Sequence, residues 1–342
     1  MSNTPGNMKF NPNGVGVKNG NFIGLPFTVE NAEVVLLPVP WDVTVSYGDG
    51  TALGPNAILE ASSQLDLFDL DVNDGWEKGI YFQQVNAAVL ERRNVIRPKA
   101  TKYIEFLENG GDISANAEMS ELLDEINTEC EAFNFFVYRE SKKLLDAGKL
   151  VGLVGGDHST PLGYLKALSE KYSDIGVLHI DAHMDLRSAY EGFTYSHASI
   201  FNNALQLSAI KKMVQVGIRD CCDEEVELAA TDERVHVFFD QHLKEEEFNG
   251  ASWNSQCEDI IADLPGNVYI SFDVDGLDPK LCPSTGTPVP GGLGFNQAIF
   301  LFKKIVESGR KIIGFDVCET GNDEWDANVA ARIIYKLCLL AG

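Results

Sequence analysis

Short apolar runs recur along the chain from residue 33 onwards, each about as long as a buried strand. They lie at residues 33–39, 150–156, 175–181, 213–217, 234–239, 267–275 and 311–317. Stretches with helical periodicity separate them, at residues 121–147, 161–171, 295–308 and 326–340. Strands that alternate with helices indicate a parallel arrangement. The pattern therefore predicts an α/β protein with a mostly parallel sheet and helices on both faces.

The chain divides into an arm and one large domain. Residues 1–30 are rich in Asn and Gly and show little apolar periodicity, so we predict an N-terminal arm that lies on the body or on a neighbouring subunit. Residues 31–342 contain no internal repeat and no linker-like change in composition, which predicts a single domain. Within it, residues 70–118 are the least regular stretch, and we interpret them as an excursion from that domain.

Charge and composition exclude several classes of protein. The chain has 27 Lys and Arg against 51 Asp and Glu, a net charge of −24, and no basic cluster that could bind nucleic acid. Such a negative field attracts small cations. The sequence contains neither a secretory signal nor a long apolar segment, so we predict a cytoplasmic protein that does not bind membranes. Its seven cysteines lack paired metal-ligand spacing, which predicts reduced thiols.

Three motifs bring ionisable side chains to the ends of predicted strands. Asp181, His183 and Asp185 follow one apolar run at alternating positions, so their side chains face the same way in extended backbone. Asp273 and Asp275 repeat this arrangement after another run. His158 follows two glycines that allow a sharp turn. In open α/β sheets, ligands bind at the carboxyl ends of the strands.

Together these motifs offer four aspartates and two histidines, a set in which oxygen donors predominate. Oxygen-rich sets with imidazole suit Mn²⁺ first, with Fe²⁺, Ni²⁺ or Zn²⁺ also compatible. Six ligands are too many for one catalytic zinc ion, whereas two adjacent ions that share carboxylates would use them all. The motifs predict a binuclear hydrolytic centre formed by His158, Asp181, His183, Asp185, Asp273 and Asp275.

The order of the motifs resembles that of the ureohydrolases, the family of arginase, agmatinase and their relatives. The segments that carry the resemblance are GGDHS, DAHMDLR followed by YSHAS, SFDVDGLDP and STGTPVPGGL. The resemblance implies a three-layer α/β/α arginase-like fold, two divalent ions (Mn²⁺ or Ni²⁺) and hydrolysis of a small cationic guanidino substrate to urea. It also implies a homo-oligomer, a trimer or hexamer.

The resemblance assigns roles to individual residues. Asp181 and Asp273 would bridge the two ions, with His158 and Asp185 completing one ligand set and His183 and Asp275 the other. His197 matches the family histidine that transfers a proton to the leaving amine. Glu319 matches the glutamate that pairs with the guanidinium group. The residues from 47 to 51 resemble the agmatinase segment at the mouth of the active site.

The motifs leave several guanidino substrates open. The residues that follow Glu319 depart from the usual agmatinase pattern, and the aromatic residues Tyr195 and Trp325 are candidates to shorten the cavity or to contact a cation. Glu191 is the candidate partner for an agmatine ammonium group. The arm, the segment around Trp41 and the Trp325 loop most resemble the guanidine hydrolase branch, which we favour. The alternatives are agmatinase, guanidinobutyrase and formimidoylglutamase, while amide deacetylation and a non-enzymatic metal-binding scaffold are disfavoured.

Overall fold

Eight parallel strands form one sheet in the computed structural model, which describes residues 10–342. The strands are β1 (Val34–Val39), β2 (Ile80–Phe82), β3 (Leu150–Gly155), β4 (Ile175–Ile180), β5 (Ile210–Ile218), β6 (Val235–Phe239), β7 (Asn267–Asp273) and β8 (Lys311–Cys318). Their spatial order is β2-β1-β3-β8-β7-β4-β5-β6, and each neighbouring pair is parallel. All seven predicted runs are strands, which confirms the predicted α/β class.

Ten α-helices in the described part of the chain cover both faces of the sheet. They are α1 (Gly54–Ser62), α2 (Ala87–Glu108), α3 (Ala117–Asp146), α4 (Leu162–Lys171), α5 (Ile200–Ala204), α6 (Asp223–Thr231), α7 (Asp240–Phe248), α8 (Trp253–Ala262), α9 (Phe295–Glu307) and α10 (Glu324–Leu340). Helix α1 packs with α7 to α10 on one face, and α2 to α6 pack on the other. The predicted three layers are confirmed.

Alternate residues of each central strand belong to different cores. In β1, Val34 and Leu36 pack on one side of the sheet, while Val35 and Leu37 pack on the other. A strand buried on both faces needs apolar residues at every position, which is why these strands appear in the sequence as continuous apolar runs. In the described part of the chain, no helix is both long enough and apolar enough to cross a membrane.

The segment at residues 70–118 is more regular than the sequence indicated. It contains the edge strand β2 and the 22-residue helix α2, which packs against α3. Helix α2 is hard to recognise because it carries Pro98 in its interior and its apolar residues do not form a clear stripe. This helix is relevant to the site, because two of its arginines contact a loop there.

The described part of the predicted arm lies against β2. Asn21 donates to the carbonyl oxygen of Ile80 at 3.1 Å and accepts from the amide of Phe82 at 2.7 Å. Phe22, Ile23 and Leu25 are buried in the core that contains Val34 and Leu36 of β1. Residues 1–9 of the predicted arm lie outside the described residues.

The chain order places a crossover at the centre of the sheet. After β3 the chain passes beyond the positions of β8 and β7 to form β4, so β3 and β4 enclose β8 and β7. All four strands are parallel, and their carboxyl ends therefore meet at one edge. Where the loops that follow neighbouring strands leave this edge in opposite directions, a crevice opens between them. Such a crevice is the usual ligand site of an open α/β sheet.

A buried lysine holds the loop after α1 on helix α10. The Nζ atom of Lys336 donates to Asp69 at 2.7 Å and to Asp71 at 2.6 Å, and its side chain is 8% exposed.

We expect Lys336→Met to lower the free energy of unfolding by about 2 kcal/mol, because it leaves two partly buried carboxylates with fewer partners. Denaturant unfolding measures this change. The control Lys280→Met removes an exposed pair and should change stability by less than about 0.5 kcal/mol; equal effects would contradict the prediction.

Candidate metal centre

The six predicted ligand residues converge at the carboxyl ends of three central strands. His158 lies in the turn after β3, and Asp181, His183 and Asp185 follow β4. Asp273 is the last residue of β7, and Asp275 lies in the short 3-10 turn Val274–Gly276 that follows it. The side chains of five of them are almost fully buried, and His183 is 25% exposed. Residues far apart in the sequence therefore share one buried cluster.

One group of ligand atoms surrounds His158. Its Nδ1 atom lies 2.9 Å from Oδ2 of Asp181, 3.2 Å from Oδ2 of Asp185 and 3.4 Å from Oδ2 of Asp273. Four potential donors, three of them carboxylate oxygens, thus face a common point.

A second group surrounds His183. Its Nδ1 atom lies 3.3 Å from Oδ1 of Asp181 and 3.2 Å from Oδ2 of Asp275. Asp181 therefore directs one oxygen to each group, which is the geometry of a bridging carboxylate. Asp273 directs Oδ2 to the first group, while its Oδ1 accepts from the amide of Asp275 at 2.7 Å.

The charges of the cluster fit two divalent cations. Burial, together with the carboxylates of Asp275 and Asp181, raises the pKa of Asp273 well above its usual range. Burial and the nearby Asp181 likewise raise the pKa of Asp185, to about 7. The cluster therefore holds more negative charge than its two imidazoles can neutralise. Bound divalent cations would relieve this repulsion, and carboxylate oxygens with imidazole nitrogens are donors that such cations accept.

His179 is a supporting residue that the sequence analysis did not assign to the site. Its Nε2 atom lies 2.7 Å from Oδ2 of Asp181, and its Nδ1 atom lies 2.9 Å from Nε2 of Gln215. It therefore holds the shared carboxylate in place. The available signal was the two-residue spacing in β4, since residues 179 and 181 project to the same side of the strand.

His158 is held from behind by a second chain of hydrogen bonds. Its Nε2 atom lies 2.9 Å from Oγ of Ser271, which donates to Oδ2 of Asp316 at 2.6 Å. Tyr269 donates to the same Asp316 oxygen at 2.6 Å. These partners lie on β7 and β8 and fix the ring so that Nδ1 faces the carboxylates. Such outer hydrogen bonds set the orientation and basicity of metal-binding histidines.

A cavity of about 230 Å³ opens beside the cluster. Its lining residues are Ser46, His183, Asp185, Arg187, Tyr190, His197, Ala198, Asp220, Cys221, Glu225 and Thr287. Loss of hydration, with a smaller effect from the imidazoles of His183 and His158, lowers the pKa of His197 to about 3. The His197 ring is therefore neutral at physiological pH and can accept a proton.

Glu319 presents one unused carboxylate oxygen beside the cluster. It follows β8 with a left-handed φ of 62°, and its amide donates to the carbonyl oxygen of Gly156 at 2.8 Å. Its Oε1 accepts from the amide of His158 at 2.9 Å, whereas its Oε2 has no hydrogen-bond partner among the described residues. Burial and the carboxylate of Asp157 raise the pKa of Glu319 well above its usual range. This is the environment in which a carboxylate gains most from a cationic partner.

Arg187 is a cavity residue that the sequence analysis did not single out for substrate binding. Its guanidinium lies 5.0 Å from the centre of the Tyr190 ring, and its Nε lies 3.7 Å from Oε2 of Glu225. Glu225 also accepts from the amides of Leu186 and Cys222, both at 3.0 Å. The carboxylate of Glu225 is therefore largely occupied, and Arg187 contributes positive charge to the cavity wall.

None of the four predicted substrate-binding residues is among those that line this cavity. Glu319 lies beside the cluster between Gly156 and Gly286. The other three lie elsewhere. Tyr195 packs against the helical layer, and its ring centre lies 6.0 Å from Nζ of Lys166. Trp325 is 52% exposed and donates to the carbonyl oxygen of Lys280 at 3.1 Å. Glu191 occupies a left-handed turn position with φ 54°, and burial raises its pKa. These three side chains are near the motifs in the sequence, but the fold places them outside the cavity lining.

Comparison with known proteins agrees with this geometry. The arginase family model matches residues 32–340. The N(1)-aminopropylagmatine ureohydrolase of Thermus thermophilus is 32% identical over 316 residues, which cover 92% of each chain. The agmatinase of Bacillus anthracis is 30% identical over 296 residues, 85% of this chain and 84% of that protein.

A solved structure extends the similarity to three dimensions. Proclavaminate amidino hydrolase from Streptomyces clavuligerus superimposes with a TM-score of 0.70 at 25% identity, covering 96% of this chain and 98% of that one. The sheet, its central crossover and the ligand-bearing loops therefore belong to an architecture shared with other hydrolases of amidino groups.

Ser271 provides a test of how the cluster is held. We expect Ser271→Ala to weaken metal binding by about 10- to 100-fold, because His158 loses the hydrogen bond that orients its ring. Competition against a fluorescent chelator measures the affinity. The matched control Ser169→Ala removes a hydroxyl that bonds only to a carbonyl within helix α4 and should leave metal binding unchanged. Equal affinities for wild type and Ser271→Ala would show that this hydroxyl does not support the site.

Proposed function

The chain belongs to the arginase family and is a metal-dependent ureohydrolase, and we propose that its substrate is guanidine, hydrolysed to urea and ammonia. The observation that carries the proposal is the buried, unpartnered Oε2 of Glu319 beside a cluster of ligand residues. A planar cation with N–H groups on every edge satisfies that oxygen. The neutral imidazole of His197 supplies the second function that hydrolysis needs.

Two divalent cations, Mn²⁺ or Ni²⁺, are proposed as the cofactors. His158, Asp185, Asp181 and Asp273 would hold one, and His183, Asp275, Asp181 and Asp273 would hold the other. Bound there, the ions would supply a water molecule activated for nucleophilic attack near neutral pH.

Glu319 binds and orients the substrate in this proposal. A carboxylate accepts two parallel N–H bonds from a guanidinium and fixes the plane of the cation. Oε1 is already held by the amide of His158, so the carboxylate cannot rotate freely. The Glu319 carboxylate therefore loses little further orientational freedom when the substrate binds. This lowers the barrier for attack at the central carbon of the guanidinium.

His197 moves the proton in this proposal. The overall reaction converts one guanidinium and one water into urea and ammonium, so the leaving nitrogen must gain a proton as its bond to carbon breaks. The His197 ring is neutral, and its nitrogen lone pair can take up a proton from the attacking water, while its lowered pKa disfavours keeping that proton. A ring with low proton affinity then releases that proton readily to the leaving amine.

The position of Arg187 on the cavity wall favours a substrate that places no second cationic group beside it. Agmatine carries a distal ammonium in addition to its guanidinium, and Arg187 on the wall repels a second positive charge. Guanidine has no such tail. Agmatine is the second candidate, because the exposed carboxylate of Asp220 also lines the cavity and could pair with its ammonium.

A release assay for urea and ammonia tests the substrate. The panel is guanidine, agmatine, arginine, 4-guanidinobutyrate and formimidoylglutamate, each with Mn²⁺ and with Ni²⁺. We expect kcat/KM for guanidine to exceed that for agmatine by at least about tenfold, a difference of about 1.4 kcal/mol in transition-state binding. A preference for agmatine would favour the second candidate, and a preference for 4-guanidinobutyrate would make Arg187 a carboxylate partner. No hydrolysis of any compound would refute the substrate class.

Two substitutions separate binding from proton transfer. Glu319→Gln should raise KM for guanidine and lower kcat/KM by about 100-fold or more, because the neutral amide lacks the charge that pairs with the cation. His197→Asn should lower kcat by about 100-fold with a small change in KM, because the proton acceptor is lost. Both variants should retain bound metal by elemental analysis. Loss of metal from His197→Asn would show that this residue is a ligand.

The Mn²⁺ or Ni²⁺ preference, the trimer or hexamer and the cytoplasmic location stay predictions from the sequence.

A further inference from the structure

The residues from Asp42 to Thr51, here called the mouth loop, form part of the wall next to Glu319. Ser46 lines the cavity, and Gly48 packs so closely on the next loop that a Cβ atom there would lie 2.7 Å from the carbonyl oxygen of Gly286. A Cβ atom on Gly286 would lie 3.3 Å from Oε2 of Glu319. Only the backbone of Gly286 therefore lies between the mouth loop and Oε2 of Glu319, the proposed acceptor for the guanidinium group.

Asp42 closes the two ends of the mouth loop. Its Oδ2 accepts from the amides of Gly50 at 2.9 Å and Ala52 at 3.1 Å, so the start and the end of the loop are tied together. Its Oδ1 accepts from Nε of Arg93 on helix α2 at 2.5 Å. The base of the loop is therefore anchored to α2 through a fully buried carboxylate.

Arg97, one helical turn after Arg93, holds the middle of the loop. Its Nη1 group donates to the carbonyl oxygens of Val43 at 3.0 Å and Val45 at 2.6 Å. The side chain is 10% exposed, and its Nε lies 3.9 Å from Oδ2 of Asp49. The two bonds fix the backbone immediately before Ser46, the residue that lines the cavity.

The tip of the mouth loop has little else to hold it. Among the described residues, no hydrogen bond to the backbone of residues 46–49 is present, and the Tyr47 side chain is 83% exposed. Loss of the Arg97 bonds would therefore free the tip to move away from Gly286. A loop whose tip lacks backbone hydrogen bonds opens at low cost, and loss of both Arg97 bonds would leave the carbonyl groups of Val43 and Val45 without this donor.

We propose that Arg97 is a positioning residue that determines substrate specificity by holding the mouth loop closed beside Glu319. Held in this way, the loop limits the space for a substituent on the guanidinium group. The inference rests on the proposed function for its effect on specificity, whereas the tether itself depends only on contacts within the chain. Arg97 lies on α2 and does not line the cavity, so it acts through the loop rather than on the substrate.

The tether is tested first without reference to activity. Chymotrypsin cleaves after tyrosine, and Tyr47 is the exposed tyrosine at the tip of the loop. We expect cleavage after Tyr47 to accelerate by about tenfold or more in Arg97→Met, because the open state of the loop becomes more populated. Arg92→Met is the matched control, since Arg92 lies on the same helix but pairs with Glu129 at the surface. An unchanged cleavage rate at Tyr47 would overturn the tether whatever the substrate.

Specificity is tested on the metal-loaded enzyme with guanidine, methylguanidine and agmatine. In Arg97→Met we expect kcat/KM for guanidine to fall by about 10- to 100-fold, mainly through KM, because the substrate is held less accurately. The value for agmatine should fall much less, so the ratio between the two substrates changes. Metal content should equal that of wild type, and Arg97→Lys, which keeps one cationic donor, should retain most of the ratio.

Loss of folding alone would lower the activity on all three substrates equally, so an unchanged ratio in Arg97→Met would overturn the role in specificity. If Arg97→Met does not fold, Gly48→Ala separates the same two loops without altering Arg97, and an unchanged ratio there has the same meaning. Wild-type enzyme that is inactive on every guanidino compound would refute the proposed function, while faster cleavage at Tyr47 would still support the tether.

Discussion

The burial of four carboxylates beside two imidazoles is the constraint on which the site depends. Asp181, Asp185, Asp273 and Asp275 are almost completely removed from water, and burial with mutual repulsion raises the pKa of Asp273 well above its usual range. Such a cluster is costly unless positive charge enters it. The parallel sheet concentrates the cost at one point, because four central strands end at the same edge. Asp181 has one oxygen in the group around His158 and the other in the group around His183, so it links the two groups of ligand atoms.

The residues that orient the ligands belong to the strands themselves. His179 and Ser271 precede Asp181 and Asp273 by two positions, so alternation along β4 and β7 directs them to the same side as the ligands. Asp316 on β8 closes the set behind His158. Because these residues lie in the centre of an eight-stranded sheet, the ligand positions are more rigid than loops could make them.

Loops build the substrate side of the site. The hairpin bridge between Tyr190 and Phe193, the segment around Gly286 and the mouth loop each contribute or adjoin a wall of the cavity. The mouth loop depends on contacts with α2, and the turn between Tyr190 and Phe193 depends on the left-handed residue Glu191. The strands therefore carry the metal-ligand candidates, and the loops carry the walls of the cavity, the part of a fold that usually varies with the ligand.

The sequence by itself determined the elements whose signals are local. Seven of the eight strands appear as apolar runs, because burial on both faces requires apolar residues at consecutive positions. The metal ligand candidates also follow from local spacing, since alternate residues of extended backbone share a face.

The tertiary structure alone decided what depends on distant contacts. The short strand β2 and helix α2 carry weak periodic signals, and Arg97 contacts carbonyl groups that leave no trace in the pattern of side chains. Tyr195, Trp325 and Glu191 stand near the motifs in the sequence, yet none of them lines the cavity. Tyr195 and Glu191 lie in turns and Trp325 lies in the first turn of α10, and the backbone angles that direct their side chains are not fixed by composition.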